Sequence, residues 1–303
     1  MTKLNIENIA TFLAIVETKS LSKAAEKLYV SQSTISTRLN SLEKDLGIKL
    51  ILRNPGKKMI ELTPKGEDFV PIAKRWISLY KDTNMWISKS PNVKLNIGAI
   101  DTVNSYILSS LYNFILKEKS TLYIDISTHS SIQIFELLET FNIDYGITSR
   151  FIRNDNLIGE PMFSEKMVMI SSPLYSNYDD VVHPKDLDVR NEIFQDWGPE
   201  FLIWHDKWWD PSERKKVIVD TSALVATCID TKNAWSIVPL TVAQAIKKIK
   251  PVKISELLVP PDKRVYYKIK HRYPRPRSIK LLQLFEDLLD LYIKDHPYIE
   301  IIK

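Results

Sequence analysis

The chain has 303 residues, 44% of them hydrophobic and 26% charged, which is enough apolar material for real cores and more length than one ordinary domain needs. No apolar run approaches the roughly 18 residues of a membrane span, and the opening MTKLNIENIA lacks the basic, apolar, small-residue order of a signal peptide, so a soluble, cytoplasmic protein with no membrane partner is expected. The formal charge of +5 is unevenly held: residues 1–90 carry 15 basic and 9 acidic side chains and the remainder 27 and 28, which puts the positive excess where a phosphate backbone could be met.

Ile6, Ile9, Leu13 and Val16 recur at three- and four-residue spacings, widened by Phe12 and Ile15, and predict a helix over Ile6–Thr18. Ser20 or Ser22 can cap a short second helix, where Ala24 and Ala25 leave room for a close neighbour. Tyr29 and Val30 make the turn. Ser31 then caps a third helix whose inner face is Ile35, Leu39, Leu42 and Leu46, ended by Gly47. Two short helices across a tight turn form a helix-turn-helix pattern. With Ile35 and Leu39 inward, Ser33, Thr37 and Asn40 turn outward, and Gln32, Thr34 and Ser36 lie near the exposed N-terminal end. These short hydrogen-bonding side chains suit base edges and phosphates. Strand-like Leu50–Leu52 and Met59–Leu62 flank a basic turn, Arg53-Asn54-Pro55-Gly56-Lys57-Lys58, as in a wing.

Thr63 and Pro64 open a long helix toward Ser88. Phe69, Ala73, Trp76, Tyr80 and Trp86 or Ile87 form a near-helical stripe along it, and Pro71 removes one backbone donor and predicts a kink. Ser90-Pro91-Asn92 marks a boundary. Beyond it the period changes: strands at Val93–Ile97, Leu122–Ser127 and Tyr145–Thr148 alternate with helical patterns around Ile107–Ile115 and Ile132–Phe141. A second set follows at Met167–Ile170, Phe194, Val217–Val219 and Trp235–Val238, with helices near Ala223–Asp230 and Thr241–Lys247. Tyr266–Ile269 and an amphipathic helix over Ile279–Lys294 close the chain. Alternating strands and helices predict parallel sheets covered by helices.

Chemistry-bearing clusters are sparse. Cys228 is the one cysteine and reads as a buried structural residue, the five histidines show no metal-ligand spacing, and seven glycines form no phosphate loop. Neither a metal, a cofactor nor a catalytic constellation is expected. His205-Asp206 stands beside tryptophans, but adjacent side chains usually point apart.

The run Ala24-Ala25-x-x-Leu28-x-x-Ser31-Gln32-Ser33-x-x-Ser36, followed by Leu42-Glu43-x-x-Leu46-Gly47, Leu50, Arg53 and Leu62-Thr63-Pro64-x-Gly66, resembles the LysR-type transcriptional regulators. Ile51 departs from the family's usual Phe, and Thr37 stands where a basic residue often follows the serine, with Arg38 one position on. The resemblance implies double-stranded DNA as partner, at a promoter dyad. Its contacting set would be Lys23, Ser31, Gln32, Ser33, Thr34, Ser36, Thr37, Arg38, Arg53, Lys57 and Lys58, with the base contact open between Thr37 and Arg38. It also implies a homodimer through the long helix and assembly of dimers into a homotetramer.

More loosely, Ile143-Asp144-Tyr145-Gly146-Ile147, Pro161-Met162-Phe163-x-Glu165 and Ile237-Val238-Pro239 resemble the family's effector domain, itself similar to periplasmic solute-binding proteins. Ligands of such folds bind at strand C-terminal ends. That rule selects Thr102, Ser130 and Ser131 in the first lobe, which read equally as helix caps. In the second lobe it selects Trp197 and Phe201, in a segment holding four of the seven tryptophans, which read equally as packing. The expected fold class is a mainly α winged helix-turn-helix (1–62), a linker helix (63–90) and an α/β two-lobed effector domain (91–303), with lobe one at 92–162 and 266–303 and lobe two at 163–265. The expected function is transcription regulation under a small-molecule effector; the alternative is a solute-binding or catalytic α/β protein with a vestigial head.

Overall fold

A computed structural model describes residues 4–52, 60–87, 94–118 and 122–302. Residues 53–59, with Arg53, Lys57 and Lys58 of the expected wing tip, the boundary at 90–92 and the Trp86 side chain lie outside this description. The chain forms two compact units, Met1–Val93 with Glu136–Asn142, and Lys94–Phe135 with Ile143–Lys303.

In the first unit, local side-chain chemistry sets each helix end. Helix α1 (Ile6–Thr18) is capped by Asn5, whose Oδ1 accepts from the Glu7 amide at 2.8 Å. Helix α2 (Leu21–Leu28) is capped by Ser20 rather than Ser22 and closed by Tyr29 at φ 55°. Helix α3 (Gln32–Leu46) starts at Ser31, whose Oγ accepts from the Thr34 amide at 3.1 Å, and stops at Gly47 in the left-handed region at φ 69°. Ile9, Phe12, Ile15, Ala24, Ile35, Leu39 and Leu42 are completely buried among the three helices. Phe12 and Ile15 are thus central to the core, whereas Leu13 and Val16 lie at its edge.

Strand β1 (Ile51–Leu52) pairs antiparallel with β2 (Glu61–Leu62) to make the wing's base. Helix α4 (Pro64–Ile87) continues through Pro71, which lacks the amide that would reach the Glu67 carbonyl. The single stripe expected on α4 divides in two. Phe69 and Ala73 join the head's own core, with Phe69 5.5 Å from Phe12 between ring centroids. Ile72, Trp76, Leu79 and Tyr80 form a separate exposed apolar face. The sequence period finds apolar positions, but tertiary packing decides which neighbour each one meets.

From Lys94 the chain forms β3 (Lys94–Ala99), a π-helical turn at Val103–Ile107, α5 (Ser109–Glu118), β4 (Tyr123–Thr128), α6 (Ser131–Glu139, assigned to the first unit from Glu136 on), β5 (Tyr145–Thr148) and β6 (Leu157–Glu165). It continues with β7 (Met167–Ser171), β8 (Val181–Val182), β9 (Ile193–Gln195), α7 (Pro199–His205), β10 (Val217–Val219), α8 (Ser222–Cys228), β11 (Trp235–Pro239), α9 (Leu240–Ile249) and β12 (Lys253–Leu257). The return is β13 (Arg264–His271), α10 (Ile279–Lys294) and β14 (Glu300–Ile301). Lobe one is a six-stranded sheet ordered β14-β6-β13-β5-β3-β4. Lobe two holds a four-stranded sheet, β11-β7-β12-β8, and the parallel pair β10-β9.

The sheets are mixed where parallel ones were expected. β3 runs parallel to β4 and β5, but β13 is antiparallel to both β5 and β6 because it brings the chain back from lobe two. Among the described residues no helix is long and apolar enough to cross a membrane.

Candidate DNA-reading face and effector cavity

The outer surface of α3 carries the side chains picked out from the sequence. Ser31, Gln32, Ser33 and Thr37 are exposed, and Thr34 and Ser36 are half-buried. A hydroxyl cluster organises the N-terminal end: Ser31 Oγ lies 2.7 Å from Ser33 Oγ and 2.8 Å from Thr34 Oγ1. The Ser22 hydroxyl donates to Gln32 Oε1 at 2.9 Å and links α2 to α3. Lys23 is exposed on α2.

Arg38 differs from its neighbours. Its Nη2 donates to Glu7 Oε2, so the guanidinium is held against α1 while Thr37 stays exposed. Tyr29, assigned only to the turn by sequence, is 95% exposed and stands immediately before the hydroxyl cluster. Its backbone is left-handed, a conformation that no local pattern announces in a tyrosine.

The wing is fixed from below. Glu43 on α3 is 3% exposed, and its Oε1 accepts from the amides of Leu50 at 2.9 Å and Ile51 at 3.3 Å. Its Oε2 takes Lys49 Nζ at 2.6 Å. Burial pushes this carboxyl up, but the Lys49 hydrogen bond and the two amides outweigh it and hold the group below its ordinary value. Just before α4, the Thr63 amide donates to the Leu50 carbonyl at 3.0 Å and Thr63 Oγ1 to the Lys49 carbonyl at 2.7 Å.

In the second unit the five effector candidates separate. Thr102 is buried at the start of the π-helical turn with helical backbone angles, beside the Tyr266 phenol, and makes no cap hydrogen bond. Ser130 caps α6 reciprocally: its amide and hydroxyl donate to Gln133 Oε1 at 3.0 and 3.1 Å, and its Oγ accepts from the Gln133 amide at 3.4 Å. Ser131 is half-buried on the first turn. Trp197 and Phe201 come together on a cavity of about 300 Å³, lined also by Ser149, Arg264, Glu200 and Tyr267.

Of the clustered aromatics, Trp204 and Trp209 pack inside lobe two, their indole N–H groups bonded to the Val259 and Leu187 carbonyls. His205, at 1% exposure, has Nε2 3.0 Å from Glu192 Oε2 and is part of the same packing.

Arg264 was not anticipated from sequence. It starts β13, and its Nη2 donates to Ser149 Oγ at 3.0 Å across 115 positions. Its guanidinium lies 4.8 Å from the Trp197 ring and 5.5 Å from Tyr266. Opposite it on β6, buried Glu165 accepts from the Tyr266 hydroxyl and from the Thr241 amide at 2.9 Å. Burial raises the Glu165 carboxyl above its ordinary value despite these donors and Arg264. A larger and more open hollow of about 700 Å³ follows α5, α9 and α10. Both hollows are lined from both lobes; the smaller one is the one that brings Arg264 together with Trp197 and Phe201.

A winged helix-turn-helix joined to a two-lobed α/β ligand-binding fold defines the class: a DNA-binding transcription regulator with an effector-binding domain. Residues 6–67 match the bacterial regulatory helix-turn-helix proteins of the lysR family, and residues 88–290 match the LysR substrate binding domain. The chain therefore belongs to the LysR family of bacterial transcription regulators.

Among its relatives, the HTH-type transcriptional regulator HdfR of Yersinia enterocolitica is 27% identical over 241 residues, 78% of this chain and 81% of that protein. The HTH-type transcriptional regulator CysL of Bacillus subtilis is 30% identical over 192 residues, 61% of this chain and 62% of that protein. In fold, the chain is similar to full-length CbnR solved with its target DNA, at a TM-score of 0.66 and 21% identity, covering 95% of this chain and 100% of that one. It is also similar to full-length OxyR of Pseudomonas aeruginosa, at 0.61 and 18%, covering 98% and 97%.

Proposed function

We propose that the protein works in the cytoplasm as a homo-oligomeric regulator that reads a promoter dyad with α3 and changes its grip when a small molecule enters the cavity between the lobes of its effector domain. Its working parts are the head at 1–62, the linker at 63–90 and the effector domain at 91–303, and its work is binding rather than catalysis. The observation that carries this reading is the surface of α3: Gln32, Ser33 and Thr37 exposed above a hydroxyl-organised N-terminal end. Fully formed caps on all three head helices argue against a vestigial domain.

Thr37 is the base reader and Arg38 the positioner, because the Arg38 guanidinium is engaged by Glu7. Gln32, Ser33, Thr34 and Ser36 share the groove, with Ser31 fixing the helix end. Lys23, Arg53, Lys57 and Lys58 hold phosphates. Gel shifts on the DNA upstream of the protein's own gene test this. Thr37→Ala costs about 1 kcal/mol on the specific site and little on random DNA. Lys23→Ala weakens both and flattens the slope of log K against log salt by about 1. Equal losses on both DNAs from Thr37→Ala, or a full salt slope for Lys23→Ala, overturn the assignment.

The exposed face of Ile72, Trp76, Leu79 and Tyr80 on α4 supports dimerisation through the linker helix. In a two-fold interface each side chain counts twice. Leu79→Asp therefore weakens the dimer by about a hundredfold or more, from about 1.5 kcal/mol of lost burial per copy. Sedimentation equilibrium reads this directly, and an unchanged oligomer places the interface elsewhere.

A further inference from the structure

Resting on the reading of the inter-lobe cavity as the effector site, we propose that the effector is an organic anion with a flat apolar part, and that Arg264 is the residue that holds its charge.

Arg264 is a permanent cation in a poorly compensated place. Nη2 has the Ser149 hydroxyl, but Nε and Nη1 are closed off from water with no acceptor among the described residues. Unpaired donors of a charged group are among the costlier features a fold can hold. Two other partly covered cations of the same strand are treated differently: Lys268 Nζ lies 3.4 Å from Glu160 Oε2, and Lys270 Nζ lies 2.7 and 2.8 Å from the two oxygens of Glu286. Glu165, the cross-strand neighbour of Arg264, already gives its oxygens to Tyr266 and Thr241. Glu200 and Asp262, on the cavity lining, are solvent-exposed and lie at its rim.

The surroundings of the cation define the rest of the ligand. Trp197 and Phe201 are large, apolar and 7% and 6% exposed, and they line a cavity of about 300 Å³, the size of a small aromatic acid, with the Arg264 guanidinium over the Trp197 ring and Phe201 stacked on Trp204. The indole of Trp197 is fixed within lobe two by its N–H bond to the Ile237 carbonyl at 2.8 Å. Arg264 and Ser149 belong to lobe one, at the start of β13 and just after β5. The Arg264 donors thus sit between groups of both lobes, Ser149 Oγ and the Trp197 ring. An anion that reaches them binds one inter-lobe angle better than another, and this differential affinity is what an effector needs in order to act.

The test uses the full chain in thermal-shift titrations with phenylacetate and cinnamate, each beside its neutral amide, and with inorganic sulfate. An aromatic acid is expected to raise the melting temperature at concentrations about tenfold or more below its amide and below sulfate. Arg264→Gln should weaken that acid by about tenfold or more while leaving the amide unchanged, and Arg264→Lys should fall between. Unliganded melting curves and gel shifts of the variants check that fold and head are intact; should Arg264→Gln not fold, Arg264→Lys and the acid-against-amide comparison decide. Amides binding as tightly as acids, with Phe201→Ala abolishing both, sink the anion proposal and leave the effector cavity standing. Sulfate matching the aromatic acids removes the flat apolar part. No shift with any of these compounds overturns both the proposal and the effector reading of the cavity.

Discussion

Gly66→Ala is expected to loosen the head while leaving the effector domain folded. A Cβ at position 66 would stand 2.0 Å from the Leu50 carbonyl oxygen and 3.0 Å from its carbon, and both are backbone atoms. Leu50 has no room to retreat. Its carbonyl accepts from the Thr63 amide, its own amide is held by Glu43, and its side chain is 1% exposed in the head core. The strain must therefore spread into β1 or the first turn of α4, at about 3 kcal/mol, the upper end of ordinary overpacking. For a unit of this size that is a fall of about 10 °C or more in the head's melting temperature. Hydrogen exchange on head peptides measures it against the effector domain as internal control. Protection of the Leu50 and Ile51 amides equal to wild type would refute the clash.

Glu43→Ala attacks the same joint from α3. It leaves the buried amides of Leu50 and Ile51 without their acceptor, at about 1–3 kcal/mol for each unsatisfied group, so about 3 kcal/mol is expected and DNA binding falls with head stability. Glu43→Gln keeps an acceptor and falls between. The variants also differ in their response to acid. Burial raises the Glu43 carboxyl, but the bonds from Lys49, Leu50 and Ile51 win and its value in the folded head lies below the unfolded one. A group depressed on folding stabilises above its unfolded value, and that contribution is lost as pH falls through its folded value. The gap in head stability between wild type and Glu43→Gln should thus be full at neutral pH and narrow as the medium passes below the ordinary carboxylate range. A gap independent of pH would show that the carboxylate charge has no part in holding the wing.

Both positions were legible as letters and illegible as joints. Leu42-Glu43 and Thr63-Pro64-x-Gly66 carry the family resemblance, yet only the fold shows that they converge on Leu50. What sequence reads well is local: the caps at Ser31 and Gly47 and the Thr63-Pro64 start are decided by atoms a few residues apart. The choice between Ser20 and Ser22 needed the structure, because Ser22 is drawn to Gln32, ten positions on.

Strand β6 is not among the strands read from the sequence, and Gly159 and Pro161, both poor strand residues, lie inside it. Pro161 is tolerated where the pairing with β13 shifts register, between Tyr266 and Tyr267. Arg264 escaped because everything that gives it meaning is distant in sequence: Ser149 on one lobe, Trp197 on the other and Glu165 across the sheet. Charge partners of this kind have no period to detect.

That last pairing has an architectural consequence. Glu165 ends β6, Arg264 begins β13, and the two residues are direct antiparallel partners, so their Cα atoms stand about 5 Å apart. The six strands of lobe one all lie outside residues 166–263. Lobe two is in effect a long excursion launched from the tip of a β-hairpin, and a two-residue turn could close the gap it leaves. A cartridge mounted this way can be exchanged or reshaped without disturbing the sheet that carries it, which gives a lineage of regulators a direct route to new signals on an unchanged frame.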